Sequence, residues 1–181
     1  MVDSYRIDIA QILEVLGESI LVSDDLYIET FQVGAESFSA TGPARFDITI
    51  TNTGTAVIAM GTVRLPVIAT CVRCLVEFPT EITAEVDGFY VHPGHEEGVP
   101  EEQEIEYIDA ENHIDLLPAI MAALVLEAPF APLHDEACAG ICPTCGADLN
   151  LGPCECEDVA PDAHPFEALR ELIGEANADS E

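Results

Sequence analysis

The sequence predicts an α+β protein: an antiparallel β-meander, barrel-like in form, with one helix packed on it and a small cysteine-rich module towards the C-terminus. Three observations lead there. Phe46, Ile48 and Ile50 alternate with Asp47, Thr49 and Thr51, the period of a half-buried strand, and similar runs lie on either side. One stretch, Asp115 to Ala128, has helical periodicity instead. The seven cysteines fall in only two places, Cys71/Cys74 and Cys138 to Cys156.

In chain order, residues 1–22 carry Ile7, Ile9, Ile12, Leu13, Val15 and Leu16, closed by Gly17. That spacing predicts a short strand and then a helical turn. Leu26 to Val33 is rich in β-formers and reads as a strand, with Gly34 and Gly42-Pro43 as breaks. Ala44 to Thr51 is the alternating strand. Asn52-Thr53-Gly54 turns it into a partner beginning at Ala56, in which Gly61 predicts a bulge and Pro66 an end to pairing. Val76 to Val91 alternates through Phe78, Ile82, Ala84, Val86 and Phe89. Cys71-Val72-Arg73-Cys74 therefore sits in the turn between two long strands. His92 to Glu104, with its Gly, Pro and Glu, reads as a solvated loop, and Glu104 to Ile108 as a short edge strand.

Asp115 is a good helix N-cap, and Pro118 is tolerated in a first turn, whose N–H groups lack helical partners anyway. Leu117, Met121, Leu124, Val125 and Ala128 form the expected apolar stripe, with Ile120 at its edge, and Pro129 ends the helix. Pro165 to Ile173 predicts a second short helix, stopped by Gly174. The expected organisation is a core domain over 1–137, the cysteine module over 138–157, a C-terminal helix over 158–174 and a disordered tail over 175–181.

Composition narrows the function. The chain has 181 residues, 49% of them hydrophobic, so a sizeable core is available. There are 35 acidic residues against five arginines and no lysine, for a net charge of −30. Phosphate backbones are bound by cations that displace counterions, so general nucleic-acid binding is disfavoured. Arg45, Arg64 and Arg73 fall in one region of the sequence but make a weak patch. Basic proteins are the natural electrostatic partners, while the charge can also serve solubility alone. Met1 to Arg6 lacks a basic n-region leading into an apolar run, and the longest apolar run, Leu116 to Leu126, is too short to span a bilayer. A cytoplasmic protein is expected, with no membrane partner. Oligomeric state is not legible.

The cysteines carry the chemistry. In such a compartment they point to metal or redox work and away from a disulfide framework. Cys142-Pro143-Thr144-Cys145-Gly146 has the two-residue spacer that lets both sulfurs face one ion about 2.3 Å away. The glycine after the second cysteine can take the positive φ that turns backbone N–H groups towards a thiolate. A turn-rich return leads to Cys154 and Cys156. Zinc at Cys142, Cys145, Cys154 and Cys156 is the expected first site, which makes the module a zinc knuckle. Unliganded thiols and a thioredoxin-like redox pair are the alternatives. The second is disfavoured because no helix follows Cys145 to lower a thiol pKa. Cys71, Cys74 and Cys138 remain, with His134 close before Cys138, and together they make an accepted structural zinc set. The competing reading is that Cys71 and Cys74 only pack in a turn and that His134 makes an ordinary hydrogen bond. His92, His95, His113 and His164 are expected to face solvent. No Gly-rich phosphate loop, G-x-S-x-G or H-E-x-x-H occurs, and an all-cysteine site has no open coordination position, so no enzymatic activity is expected.

Cys71-Val72-Arg73-Cys74-Leu75-Val76-Glu77-Phe78 resembles the C-x-R-C-x-x-x-F segment of the YceD-like family, the large ribosomal RNA subunit accumulation proteins. Ile114-Asp115-Leu116-Leu117, and Glu127 to His134 with Cys138, resemble that family's second block. Gly140 to Asn150 resembles a cysteine-rich extension found in part of the family. The resemblance runs from about residue 5 to 173. It implies a bacterial cytosolic protein, not an enzyme, needed for normal accumulation of large-subunit ribosomal RNA. Together with the charge, it leads to the expectation of an acidic adaptor for a basic partner, a ribosomal protein or an RNA-processing or assembly factor. A thiol- or zinc-responsive redox regulator is the alternative.

Overall fold

The computed structural model describes residues 4–96, 99 and 104–156. The helix expected over Pro165 to Ile173 and the tail expected over 175–181 lie outside the described residues. The chain divides into two compact units, Met1–Gly140 and Ile141–Glu181, so that Cys138 belongs to the first.

The first unit is mostly antiparallel sheet with few helices. Its strands are β1 (Arg6–Asp8), β2 (Ser19–Leu26), β3 (Thr30–Val33), β4 (Glu36–Ala40), β5 (Ala44–Asn52), β6 (Val57–Thr70), β7 (Glu77–Val91), β8 (Glu106–Tyr107) and β9 (His113–Asp115). Its helices are α1 (Ala10–Leu13) and α2 (Leu117–Glu127). β6 organises the main sheet. Along one edge it pairs with β7 over its whole length, from Val57↔Tyr90 to Thr70↔Glu77. Its other edge is shared, with β5 against the first half and β4 against Val67 and Ile68. β2 lies outside β5, and β3 outside β4.

Three strands, β2, β4 and β9, escape the sequence reading. Leu26 to Val33 is not one strand: β2 ends at Leu26 and β3 begins at Thr30. β2 (Ser-Ile-Leu-Val-Ser-Asp-Asp-Leu) carries an acidic pair that weakens its β signal, and its pairing with β5 is what makes it a strand. β4 follows β3 through the two-residue Gly34-Ala35 turn, with Gly34 at φ 61° and Phe31 stacked on Phe38 at 5.2 Å.

Pro66 does not end β6. Its carbonyl accepts from Thr41 N at 2.9 Å, and a strand residue's N and O point to the same edge. The missing N–H therefore faces the corner where the chain passes from β4 to β5, and no ladder bond to β7 is lost. Gly61 is not a bulge either, since the register runs unbroken through Ile48↔Gly61 and Gly61↔Val86. The two backbones simply approach closely there: a Cβ on Gly61 would lie 2.0 Å from the Asp47 carbonyl oxygen.

The sheet is open. β2 at one edge and β8 at the other do not pair, so the expected barrel does not close. A closed small barrel fills its interior with its own side chains. Here Ile12 from α1 with its N-cap Ile9, Ile114 from β9, and Ile120 and Leu124 from α2 with its N-cap Leu116 join Phe46, Ile48, Leu65 and Val86 in one core. α2 lies mainly on β7 and also reaches β3 and β6. Its inward face is Ile120, Ala123 and Leu124. Val125, expected in the stripe, is exposed, and Ile120, expected at the edge, is fully buried. Asp115 caps α2 from one residue before the N-cap Leu116, its Oδ1 accepting from Leu117 N at 3.0 Å and from Tyr5 N at 2.7 Å. Tyr90 folds over Gly88 in the core and donates to the Asp115 carbonyl at 3.0 Å.

Asn52 is the one buried polar side chain among the described residues. Its amide donates to the carbonyls of Ile12 (2.9 Å), Leu13 (3.2 Å) and Val15 (3.2 Å), and its Oδ1 accepts from Gly54 N at 2.8 Å. It ties α1 and its exit to the β5–β6 turn. Asn52→Ala strands these groups and is expected to cost about 1–3 kcal/mol, seen as a lower urea midpoint at unchanged slope.

No helix among the described residues is long and apolar enough to cross a membrane.

Candidate metal centres

The first centre is built at the end of the β6–β7 hairpin. Beyond Thr70↔Glu77, Cys71 N donates to the Val76 carbonyl at 2.9 Å and Leu75 N donates back to the Cys71 carbonyl at 2.8 Å. Leu75 takes the left-handed conformation, at φ 61°, where a side chain is strained. This tight turn sets the Cys71 and Cys74 sulfurs together.

The facing donors come from the segment after α2. Ala128 leaves the helix with extended backbone (ψ 132°), as a residue before proline prefers. The chain then runs back to the hairpin end, where the Pro132 carbonyl accepts from Val72 N at 3.0 Å. An Asp135 turn follows. Its carbonyl accepts from Cys138 N at 3.0 Å and its Oδ1 from Ala137 N at 2.7 Å. His134 and Cys138 flank that turn. Arg73 Nη1 donates to the carbonyls of Glu136 (3.1 Å) and Cys138 (3.0 Å), and Gly140, at φ 78°, passes so close to Arg73 that a Cβ there would lie 3.1 Å from the Arg73 carbonyl oxygen.

Cys71 Sγ stands 3.9 Å from Cys138 Sγ, and Cys74 Sγ 3.3 Å from His134 Nδ1. All four donor atoms lie within 4.8 Å of one another. Tetrahedral thiolates about 2.3 Å from one ion stand about 3.8 Å apart, so the donors are already near binding separation. Cys71 and Cys138 are buried, while His134 is exposed with its ring edge-on to Phe78.

The second centre, in the Ile141–Glu181 unit, starts from the same turn. Cys142 N donates to the Ala147 carbonyl at 2.8 Å and Gly146 N to the Cys142 carbonyl at 2.9 Å. Gly146 holds the left-handed position, φ 73°, that Leu75 holds in the first turn. Ile141 bridges Asp148 across it. Asp148 Oδ1 then accepts from Asn150 N at 2.9 Å, turning the chain back towards Cys154 and Cys156. The four sulfurs again lie within 4.8 Å of one another.

The electrostatics of both groups ask for a cation. Burial pushes the Cys71 thiol up, but the His134 ring and the backbone N–H groups of His134, Cys74 and Arg73 outweigh it and bring it down to about 5. Cys74 goes up to about 11, first through burial and then through its Cys71 and Cys138 neighbours. In the second group the backbone N–H groups of Cys145 and Thr144 draw Cys142 down to about 6, while the Cys145 thiol and burial drive Cys156 up to about 12. One sulfur in each group ionises readily and another resists, through burial and through the thiols crowded beside it. A divalent ion removes that conflict. Either group could hold a metal ion; the donors are of the kind zinc takes.

None of the seven cysteines forms a disulfide, and each lies in one of the two groups. His92 and His95 stay exposed in their loop, whereas His113, expected in solvent, is half-buried at the start of β9, its Nδ1 3.6 Å from Asp109 Oδ1. The three arginines do not form one patch. Arg45 and Arg64 are cross-strand neighbours, and Arg73 is held at the first centre. That structural part of Arg73 went unread in the sequence, although an arginine between two cysteines, in a chain with so few cations, was a visible signal.

A family model described as "Large ribosomal RNA subunit accumulation protein YceD" matches residues 59–173, a span that contains every donor of both groups. A protein of Mycobacterium leprae described as uncharacterized is 29% identical over 111 residues, 61% of this chain and 51% of its own length. Proteins of Mycobacterium bovis and of Mycobacterium tuberculosis strain H37Rv, described in the same way, are each 31% identical over 108 residues, 59% of this chain and 52% of theirs. The chain spans about half the length of the curated relatives it matches. No solved structure matches it.

Proposed function

The chain belongs to the YceD family, described as large ribosomal RNA subunit accumulation proteins, and from that premise we propose that it is a non-enzymatic zinc protein supporting large-subunit ribosomal RNA accumulation. Zinc is held at Cys142, Cys145, Cys154 and Cys156, and at Cys71, Cys74, His134 and Cys138. The observation behind this reading is that no cysteine is left outside a four-donor group. Both donor sets are complete without water, as structural zinc sites are. Bound zinc would supply cross-linking and charge neutralisation, and the chain's own residues would supply the recognition surface.

The net charge of −30 directs that surface towards a basic protein, a ribosomal protein or an assembly or processing factor, and away from bare RNA. Seven thiols outside any disulfide suit the reducing cytoplasm as its compartment. Depletion of the protein is expected to lower the ratio of large- to small-subunit ribosomal RNA, and an unchanged ratio overturns the role. The purified chain is expected to retain basic large-subunit proteins at low salt and release them as salt rises. Tight binding to protein-free large-subunit RNA at moderate salt overturns the adaptor.

A second reading, a redox-responsive regulator, is favoured by one observation. Cys145 is exposed beside Cys142, whose thiol is drawn down to about 6 by the Cys145 and Thr144 N–H groups. On this reading peroxide takes two electrons from the two thiolates and two protons from solvent and leaves as two waters, a Cys142–Cys145 disulfide forms, and the metal departs. Metal content before and after mild peroxide separates the two readings.

A further inference from the structure

We propose that Arg73 is the positioning residue of the Cys71/Cys74/His134/Cys138 centre, holding the segment that carries His134 and Cys138 against the cysteine turn. The proposal rests on the reading that this centre binds zinc.

Two of the four donors belong to a hairpin end whose shape is set by its own hydrogen bonds. The other two belong to a connecting segment with no strand or helix of its own between Pro129 and Gly140. Such a segment must be fastened if its donors are to stand at binding distance. Val72 N to the Pro132 carbonyl fastens it on the near side of His134. Beyond His134 Arg73 fastens it, Nη1 donating to the carbonyls of both Glu136 and Cys138, on the two sides of Ala137. A single nitrogen, Nη1, meets both acceptors, and the rigid guanidinium plane fixes where that nitrogen stands. Gly140 completes the contact: its backbone lies against the Arg73 carbonyl at a spacing that any Cβ would crowd. The turn and the segment therefore interlock through the residue between the two cysteines, and Arg73 itself donates nothing to the metal.

Charge acts in the same direction. Three thiolates and a neutral imidazole around a divalent ion carry a net charge of −1. In a chain of net charge −30 that excess has few cations to offset it, and the Arg73 guanidinium is fixed beside it.

The test uses the full chain with Cys142, Cys145, Cys154 and Cys156 changed to serine, which leaves one centre. Zinc affinity is measured by competition with a chromogenic chelator. Cobalt(II) serves as a spectroscopic probe, because its thiolate charge-transfer band reports how many sulfurs are bound. Arg73→Met is expected to weaken zinc by about 10- to 100-fold, the range for residues that orient metal ligands, and to lower the band per cobalt as Cys138 drops out. Arg73→Lys restores the charge without the rigid guanidinium plane that places Nη1 and is expected to recover only part of the affinity. Gly140→Ala forces the segment off Arg73 from the other side, and is expected to lower affinity and band in the same way if the methionine variant does not fold. Wild-type affinity and an unchanged band in both Arg73→Met and Gly140→Ala overturn the proposal. A parent chain that binds neither zinc nor cobalt overturns the zinc reading itself and the proposal with it.

Discussion

Changing Cys142 and Cys145 together to serine is expected to remove one of two zinc ions per chain and to unfold the module that carries them, with the β-sheet left intact. Among the described residues that module has little else to hold it: the Ile141–Asp148 bridge, the Cys142 turn and the Asp148 turn. For such small elements the binding free energy of a structural zinc is the folding free energy, with an apparent value of about 10–16 kcal/mol at neutral pH. Changing Cys71 and Cys74 to serine is expected to remove the other ion with a milder result. Their hairpin is paired along its whole length, from Val57↔Tyr90 to Thr70↔Glu77, and its inner face is buried. Only the end of that hairpin and the segment from Pro132 to Gly140 should loosen. Elemental analysis counts the metal, and amide exchange locates the loosening. Wild-type protein with two zinc ions supports both centres. One ion removes the centre whose own serine pair leaves the metal count unchanged, and none removes the metal reading.

The second large effect is at Gly61. Gly61→Ala is expected to destabilise the protein by about 3 kcal/mol or more, at the severe end for a single methyl group. The added Cβ would lie 2.0 Å from the Asp47 carbonyl oxygen and 2.6 Å from Ile48 Cα, so the obstacle is backbone on both counts. No rotamer relieves it. β5 and β6 must separate at the centre of the sheet, where Ile48 and Val63 are fully buried. Gly34→Ala is the control. It meets nothing within 4 Å and bears only the strain of φ 61°, about 1–2 kcal/mol. Urea unfolding of the two variants measures the difference, and equal costs would show that close approach is not what Gly61 serves.

Gly61 also illustrates where sequence reasoning stops. A glycine within a strand signals either a bulge or a close approach of backbone, and these differ only in what the neighbouring strand does. Pro66 is similar. Its missing donor is harmless because that edge faces the β4–β5 corner, which depends on a hairpin, β3–β4, inserted between β2 and β5, two strands that pair with each other. Val125 and Ile120 exchanged roles for a like reason: helical periodicity gives a stripe, while the direction of the helix over β7 decides which side of the stripe is covered.

The centres divide along the same line. Cys-x-x-Cys is local: a two-residue spacer and a left-handed residue after the second cysteine suffice to bring two sulfurs together, and that much can be read at Cys142-Cys145-Gly146 without any structure. At Cys71-Cys74 the left-handed place is taken by Leu75, against its steric preference, and the hairpin alone reveals it.

By itself, then, the sequence determined the elements whose signals are short in range: the alternating strands from Ala44 to Val91, the helix ended by Pro129, the two cysteine turns and the acidic surface. The tertiary structure alone decided that β2 and β4 are strands, that the sheet stays open with α2 filling its inner face, and that His134 and Cys138 stand beside Cys71 and Cys74, more than sixty residues apart in the hydrogen-bonded Cys71–Cys138 pair. The physical reason is common to all three. Each depends on a surface supplied by a distant part of the chain, and the free energy that rewards the pairing appears only after the intervening loop has closed.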